Sequence, residues 1–244
     1  MESRSPQPAV APRGLPPGAA SDVVEETVLL AGRTVSMLRP RDGDALLDEL
    51  LAEDDPDEDR LPFWAELWPA GAALARAIAG RSLAGRRVLE LGCGLGLVGV
   101  AAALAGANVL AVDRSPEAIT FAAANAARNR VTLQTAVCAF DQPEPLLAAA
   151  PWDLVLAADV LYEQRNVPVL VWLLPRLVEA TGEVWLADPG RSMLASFLAG
   201  VDATGWRREQ LATDPAGMTI HRLRLEEGTA PPRVPAARRV GPRA

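Results

Sequence analysis

The chain is short of the residues that most often carry covalent and metal chemistry. Its 244 residues include one histidine, His221, and two cysteines, Cys93 and Cys138. That count argues against a histidine-based triad, and since neither cysteine stands at a metal-ligand spacing it argues against a zinc site as well. Two cysteines build no disulfide framework, and nothing here demands an oxidising compartment. His221 falls in an alternating apolar and polar run, which predicts a strand residue on the surface. Positive charge is not in excess either: the net charge is −7, which opposes an electrostatic grip on nucleic acid or anionic lipid. Most of that excess comes from the run Glu53, Asp54, Asp55, Asp57, Glu58 and Asp59, read as a solvated loop. No apolar segment follows the first charges, so no signal peptide is expected. The one long apolar stretch, 95–112, is divided by Gly106-Ala107-Asn108 into a helix and a strand, each too short to cross a bilayer. The expectation is a cytoplasmic protein without membrane or nucleic-acid partners.

What is present is an alternation of strand-like and helix-like segments between two Pro- and Ala-rich ends. Residues 1–22 lack apolar periodicity and are read as disordered, as is the arginine-bearing tail 227–244; one domain is expected over 23–226. Strands are expected at 27–30 and 33–38, a hairpin around Gly32, and then at 87–91, 108–112, 131–137, 154–158 and 184–187. Helices are expected at 68–79, 95–104, 116–128, 167–178 and 192–203, with Pro69 and Pro116 in first turns. The segments 206–212 and 218–225 follow one another without a helix and should pair antiparallel. The fold class is therefore α/β: a Rossmann-like, seven-stranded, mostly parallel sheet with helices on both faces, an antiparallel C-terminal strand and an N-terminal β-hairpin. In such sheets a ligand sits beyond the carboxyl ends of the strands, at the switch point.

The strongest motif is Val88-Leu89-Glu90-Leu91-Gly92-Cys93-Gly94-Leu95-Gly96. A buried strand ends in a carboxylate, turns through glycines that let backbone approach a ligand, and enters a helix. The next strand ends in Asp113, placed to accept hydrogen bonds from ribose hydroxyls. Gly94-Leu95-Gly96-Leu97-Val98-Gly99 also satisfies a dinucleotide pattern. Glu90 decides against it: a carboxylate at that place repels a pyrophosphate but suits S-adenosylmethionine, which has no phosphate and carries ammonium and sulfonium charges. Cys93 is read as a small loop residue without a neighbouring base.

These residues resemble the class I, seven-strand methyltransferases, and the likeness runs from about 27 to 225. The segment Leu61-Pro62-Phe63-Trp64-Ala65-Glu66-Leu67-Trp68-Pro69-Ala70-Gly71 narrows it, together with Asp159-Val160-Leu161-Tyr162 and Asp188-Pro189-Gly190-Arg191. The set is similar to the protein-lysine methyltransferases that carry an Asp/Glu-x-x-Tyr/Phe motif, and to bacterial relatives labelled nicotinamide N-methylases. The resemblance implies that Trp68, Glu90, Gly92, Gly94, Asp113, Phe140, Asp141 and Ala158 line the cofactor pocket. It assigns Asp159 and Tyr162 to the acceptor, a lysine on a protein substrate; Asp159 would orient the amine, and proton loss would be helped by desolvation or water. Trp64 is read either as a core aromatic or as part of the entry segment, and Arg191 either as a local pairing residue or as a substrate contact. A small-molecule N-methyltransferase and a non-catalytic binding module stand as the alternatives.

Overall fold

The computed structural model describes residues 7–13, 22–52, 60–213 and 217–226. The acidic run and the C-terminal tail singled out above lie outside them. Seven strands form the main sheet in the order β6-β5-β4-β7-β8-β10-β9. They are β4 (Arg87–Leu91), β5 (Asn108–Asp113), β6 (Gln134–Val137), β7 (Trp152–Ala158), β8 (Val178–Asp188), β9 (Trp206–Thr213) and β10 (Thr219–Leu225). The first five run parallel; β10 lies antiparallel between β8 and β9. The order reverses between β4 and β7, and their register fixes what emerges there. Leu91 is level with Val112 and with Ala157. Gly92, Asp113 and Ala158 therefore leave the sheet side by side.

Apolar side chains cover both faces. One core gathers α2 (Pro69–Ala79) and α3 (Leu97–Leu104) with Val88, Leu156, Trp185 and Ile220; the other packs α6 (Asn166–Leu177) and α7 (Leu194–Asp202) against Leu89, Val155, Leu186 and Leu223. The alternation of Ile220, His221 and Leu223 assigns His221 to the second face. It is buried, at 6% exposure, because β10 is an interior strand flanked on both sides. The surface position expected for it is corrected accordingly.

A second sheet precedes the domain: β1 (Gln7–Ala9), β2 (Val23–Leu30) and β3 (Arg33–Pro40), all antiparallel. β1 lies inside the segment expected to be disordered, and at these residues that expectation is corrected by pairing with Val23–Glu25. Two helices were not expected, α1 (Gly43–Leu51), capped by Asp42, and α5 (Glu144–Ala149). The helix α4 (Pro116–Arg128) occupies the residues foreseen, with Ser115 accepting from the Ala118 N–H and Pro116 in the first turn.

The two sheets are joined through α4. Its Asn125 is fully buried; Oδ1 accepts from the Leu38 N–H at 2.6 Å, and Nδ2 donates to the Leu38 carbonyl at 3.0 Å and the Leu95 carbonyl at 2.9 Å. One turn on, Asn129 makes the same pair of bonds to the Ser36 N–H and carbonyl. The two amides thus stand in for a neighbouring strand along the free edge of β3. Asn125→Leu keeps the volume but strands three buried backbone groups, each costing about 1–3 kcal/mol. Urea denaturation is expected to show a loss of about 3 kcal/mol or more, read as a lower midpoint at unchanged slope.

Candidate active site

Every residue assigned to the site from sequence lines one cleft of about 1080 Å3 at the carboxyl ends of β4, β5 and β7. These are Trp68, Glu90, Gly92, Gly94, Asp113, Phe140, Asp141, Ala158, Asp159 and Tyr162.

One end is built on the turn after β4. Gly92, Gly94 and Gly96 all have positive φ, at 64°, 50° and 81°. At Gly96, the residue before α3, a Cβ would stand 2.8 Å from the Ala122 Cβ, so only glycine lets α3 start this close to α4. At Gly99 a Cβ would meet Glu90 Oε2 at 2.5 Å. The bare backbone there brings the Gly99 N–H close to the Glu90 carboxyl, while Oε2 has no hydrogen-bond partner among the described residues. Burial pushes the Glu90 carboxyl up to about 8, the Gly99 bond opposing and the charge of Asp113 adding to the rise. Asp113 is better served: Oδ2 accepts from the Gly94 N–H at 2.9 Å and Oδ1 from the Ser115 N–H at 3.0 Å. Burial raises its carboxyl as well, with the Ser115 and Gly94 bonds and Arg114 pulling the other way. Cys93 sits between these two acids. Burial first, then both negative charges, raise its thiol well above the usual range, which keeps it from acting as a nucleophile at neutral pH.

The other end is built on the turns after β7 and β8. Asp159 takes a left-handed backbone conformation, φ 58°, at a cost of about 1 kcal/mol, and its N–H donates to the Ala187 carbonyl at 2.9 Å. This holds the carboxylate over the cleft, where Arg191 Nε donates to its Oδ1. Asp188, fully buried, shapes the loop that delivers the arginine: Oδ1 accepts from the Gly190 and Arg191 N–H groups at 2.7 and 2.8 Å. Tyr162 stacks edge-on against Phe63, ring centres 5.2 Å apart, and burial raises its phenol, so the hydroxyl stays neutral. Trp68 Nε1 donates to the Phe63 carbonyl at 2.6 Å and pins the entry segment. Trp64 lines the cleft while its ring packs 5.5 Å from that of Phe121 in the core, which joins its two readings.

Sequence reasoning had not separated Phe63 from its aromatic neighbours, nor paired Arg191 with Asp159. The first was legible only as one ring in the 61–71 segment. The second needed two loops that are 32 residues apart to be seen together.

Glu90 has a consequence for stability. Its carboxyl is raised above the ordinary value of 4.5 to about 8 in the folded chain. Relative to the unfolded state its contribution is fully present below pH 4.5 and is lost as pH rises through about 8. Glu90→Gln removes the titration, so unfolding free energies measured from pH 5 to 8.5 should fall for the native protein relative to the variant. The divergence expected is on the order of a few kcal/mol.

A family model described as lysine methyltransferase matches residues 59–196. Over 141 residues the chain is 35% identical to the electron transfer flavoprotein beta subunit lysine methyltransferase of Xenopus laevis, an alignment covering 55% of each protein. It is 37% identical over 128 residues to a protein N-lysine methyltransferase of Danio rerio, covering 50% of this chain and 58% of that protein. The chain thus spans about half the length of the curated relatives it matches. Among solved structures, magnesium protoporphyrin IX methyltransferase from Synechocystis, with bound SAM, superposes with a TM-score of 0.53 at 17% identity, covering 76% of this chain and 92% of that one. That likeness concerns the fold, which is the seven-stranded sheet described above. Since the matched segment takes in the turn after β4, Asp113, Asp159, Tyr162 and Arg191, and exceeds half of the chain, this protein belongs to the lysine methyltransferase family.

Proposed function

We propose that the protein transfers a methyl group from S-adenosylmethionine to the side-chain nitrogen of a lysine on another protein, in the cytoplasm. The observation that carries this is the division of one cleft into two ends. Two buried carboxylates, Glu90 and Asp113, lie at one, and a carboxylate beside the rings of Phe63 and Tyr162 lies at the other.

The donor fits the first end. Glu90 Oε2 is a buried oxygen without a partner among the described residues, and a cationic ligand beside it would draw the raised carboxyl back to its charged form. Asp113 keeps lone pairs beyond those used by Gly94 and Ser115 and would hold the ribose. Gly92 and Gly94 would let the ligand lie against backbone, with Phe140, Asp141, Ala158 and Trp68 as walls. When bound, S-adenosylmethionine supplies a methyl group on a positively charged sulfur, and that charge passes to the acceptor nitrogen. The protein's task is alignment, which contributes roughly 7–11 kcal/mol in well-oriented reactions. Asp159 would accept a hydrogen bond from the acceptor amine, and Tyr162 with Phe63 would flank its alkyl stem. Among the described residues no helix is long and apolar enough to cross a membrane.

The chain suits a labelling experiment because it contains no lysine; all 24 of its basic residues are arginine. Methyl label found on a lysine therefore belongs to a substrate. With labelled donor and fractionated lysate, labelled lysine in protein is the expected product, and label confined to pyridines or other metabolites would replace this reading with a small-molecule methyltransferase. Asp113→Ala should weaken donor binding at least about tenfold by calorimetry, through lost charge-assisted bonds. Asp159→Ala should leave donor affinity within a few-fold and lower turnover about a hundredfold.

A further inference from the structure

A carboxylate facing a lysine presents a chemical difficulty. An unpaired Asp159 would bind the ammonium form and hold its proton in place, yet only the free amine has a lone pair to be methylated. At pH 7 a lysine of ordinary pKa near 10.4 is almost wholly protonated. The acceptor end of the cleft contains an answer. Asp159 is already paired through Oδ1 with Arg191 Nε, and the carboxylate is almost entirely buried while the guanidinium is one-third exposed. Asp159 and Asp188, with Tyr162, raise the Arg191 guanidinium above its usual value, so its charge is permanent.

Resting on the lysine reading above, we infer that Arg191 is a positioning residue that cancels the charge of Asp159, so that the acceptor site takes up lysine as the free amine. The remaining oxygen of Asp159 accepts a hydrogen bond from the amine N–H and fixes its direction. The proton leaves the ammonium for solvent before the amine settles, because the site offers it a neutral ion pair in place of a bare carboxylate.

The surroundings agree. Tyr162, next along the turn, is a neutral phenol. Glu163 is bound by both Arg114 and Arg165. Glu66, on the entry segment, faces Arg39 and the Gly43 N–H. Glu90 and Asp113 stand at the donor end, where the sulfonium and ammonium of the donor would answer them. Asp188 lies beneath the Arg191 loop, and the backbone N–H groups of Gly190 and Arg191 bond to it. The carboxylates that face the acceptor end, Asp159, Glu163 and Glu66, are matched by arginines. The arginine on Asp159 is delivered by a loop anchored on Asp188, which is bonded at Oδ1 and unpartnered at Oδ2 among the described residues.

Two measurements test this. The first uses n-butyltrimethylammonium, a permanent cation of lysine shape, titrated into protein saturated with S-adenosylhomocysteine. Arg191→Gln should bind it at least tenfold more tightly than the native protein, Arg191→Lys about as the native does, and Arg191→Gln with Asp159→Asn should lose the gain. Equal or weaker binding by Arg191→Gln overturns the inference. This arm uses no turnover and reads the pair even if the acceptor proves not to be lysine, an outcome that the labelling experiment reports separately.

The second is the dependence of kcat on pH with a labelled acceptor protein. The ascending limb should move up by about one unit in Arg191→Gln, with activity recovering towards the native plateau at high pH, and return in Arg191→Lys. A uniform loss at every pH, with the limb unmoved, would make the arginine a structural prop and overturn the assignment.

Discussion

The active site depends on a single buried amide. Asn125 serves three backbone groups from two distant parts of the chain, Leu38 in β3 and Leu95 in the turn after β4. A buried backbone group without a partner costs as much as a lost hydrogen bond, so this side chain lets a hairpin from outside the main sheet dock onto α4. The same side chain holds the carbonyl of the glycine turn in which Gly94 donates to Asp113. The geometry of the donor end is therefore set partly by a strand whose residues never enter the cleft.

The two ends of the cleft solve opposite electrostatic problems. At the donor end two acids are buried close together. Burial keeps the Glu90 carboxyl largely protonated at neutral pH with one oxygen unpartnered among the described residues, and Asp113 is held by backbone donors instead of a cation in contact. Such a site is unfavourable when empty and gains from a positively charged ligand. At the acceptor end charges are paired within the protein, Asp159 with Arg191 and Glu163 with Arg114 and Arg165. One region waits for charge from outside while its neighbour is already balanced.

Much of this was legible from sequence because the decisive residues act locally. Ser115-Pro116 marks the start of α4, Glu90 to Gly96 marks the turn, and Asp113 closes a strand whose alternation is plain. What escaped depended on contacts between distant segments. Residues 131–133 look strand-like, yet β6 begins only at Gln134; Leu133 is instead drawn under Gly99. Val178 reads as the end of a helix, but α6 stops at Leu177 after Pro175, and Val178 pairs with Trp152 to begin a longer β8. His221 alternates like a surface residue and is buried because β9 covers its strand from outside. Asn125 carries no local signal at all: an asparagine within an alanine-rich helix gives no sign of bonding to a strand 87 residues earlier.

The edges of the two sheets share a further property. β6 is four residues long, and β9 exposes Arg207, Arg208 and Glu209, with Arg208 paired to Asp202. In the smaller sheet β1 is three residues long, and the outer edge of β3 is occupied by Asn125 and Asn129. Short, charged or side-chain-sealed edges offer a poor template for another chain. For a protein half of whose residues are hydrophobic, this closes the cheapest route to aggregation by strand addition. Association with other molecules is then left to surfaces made of side chains.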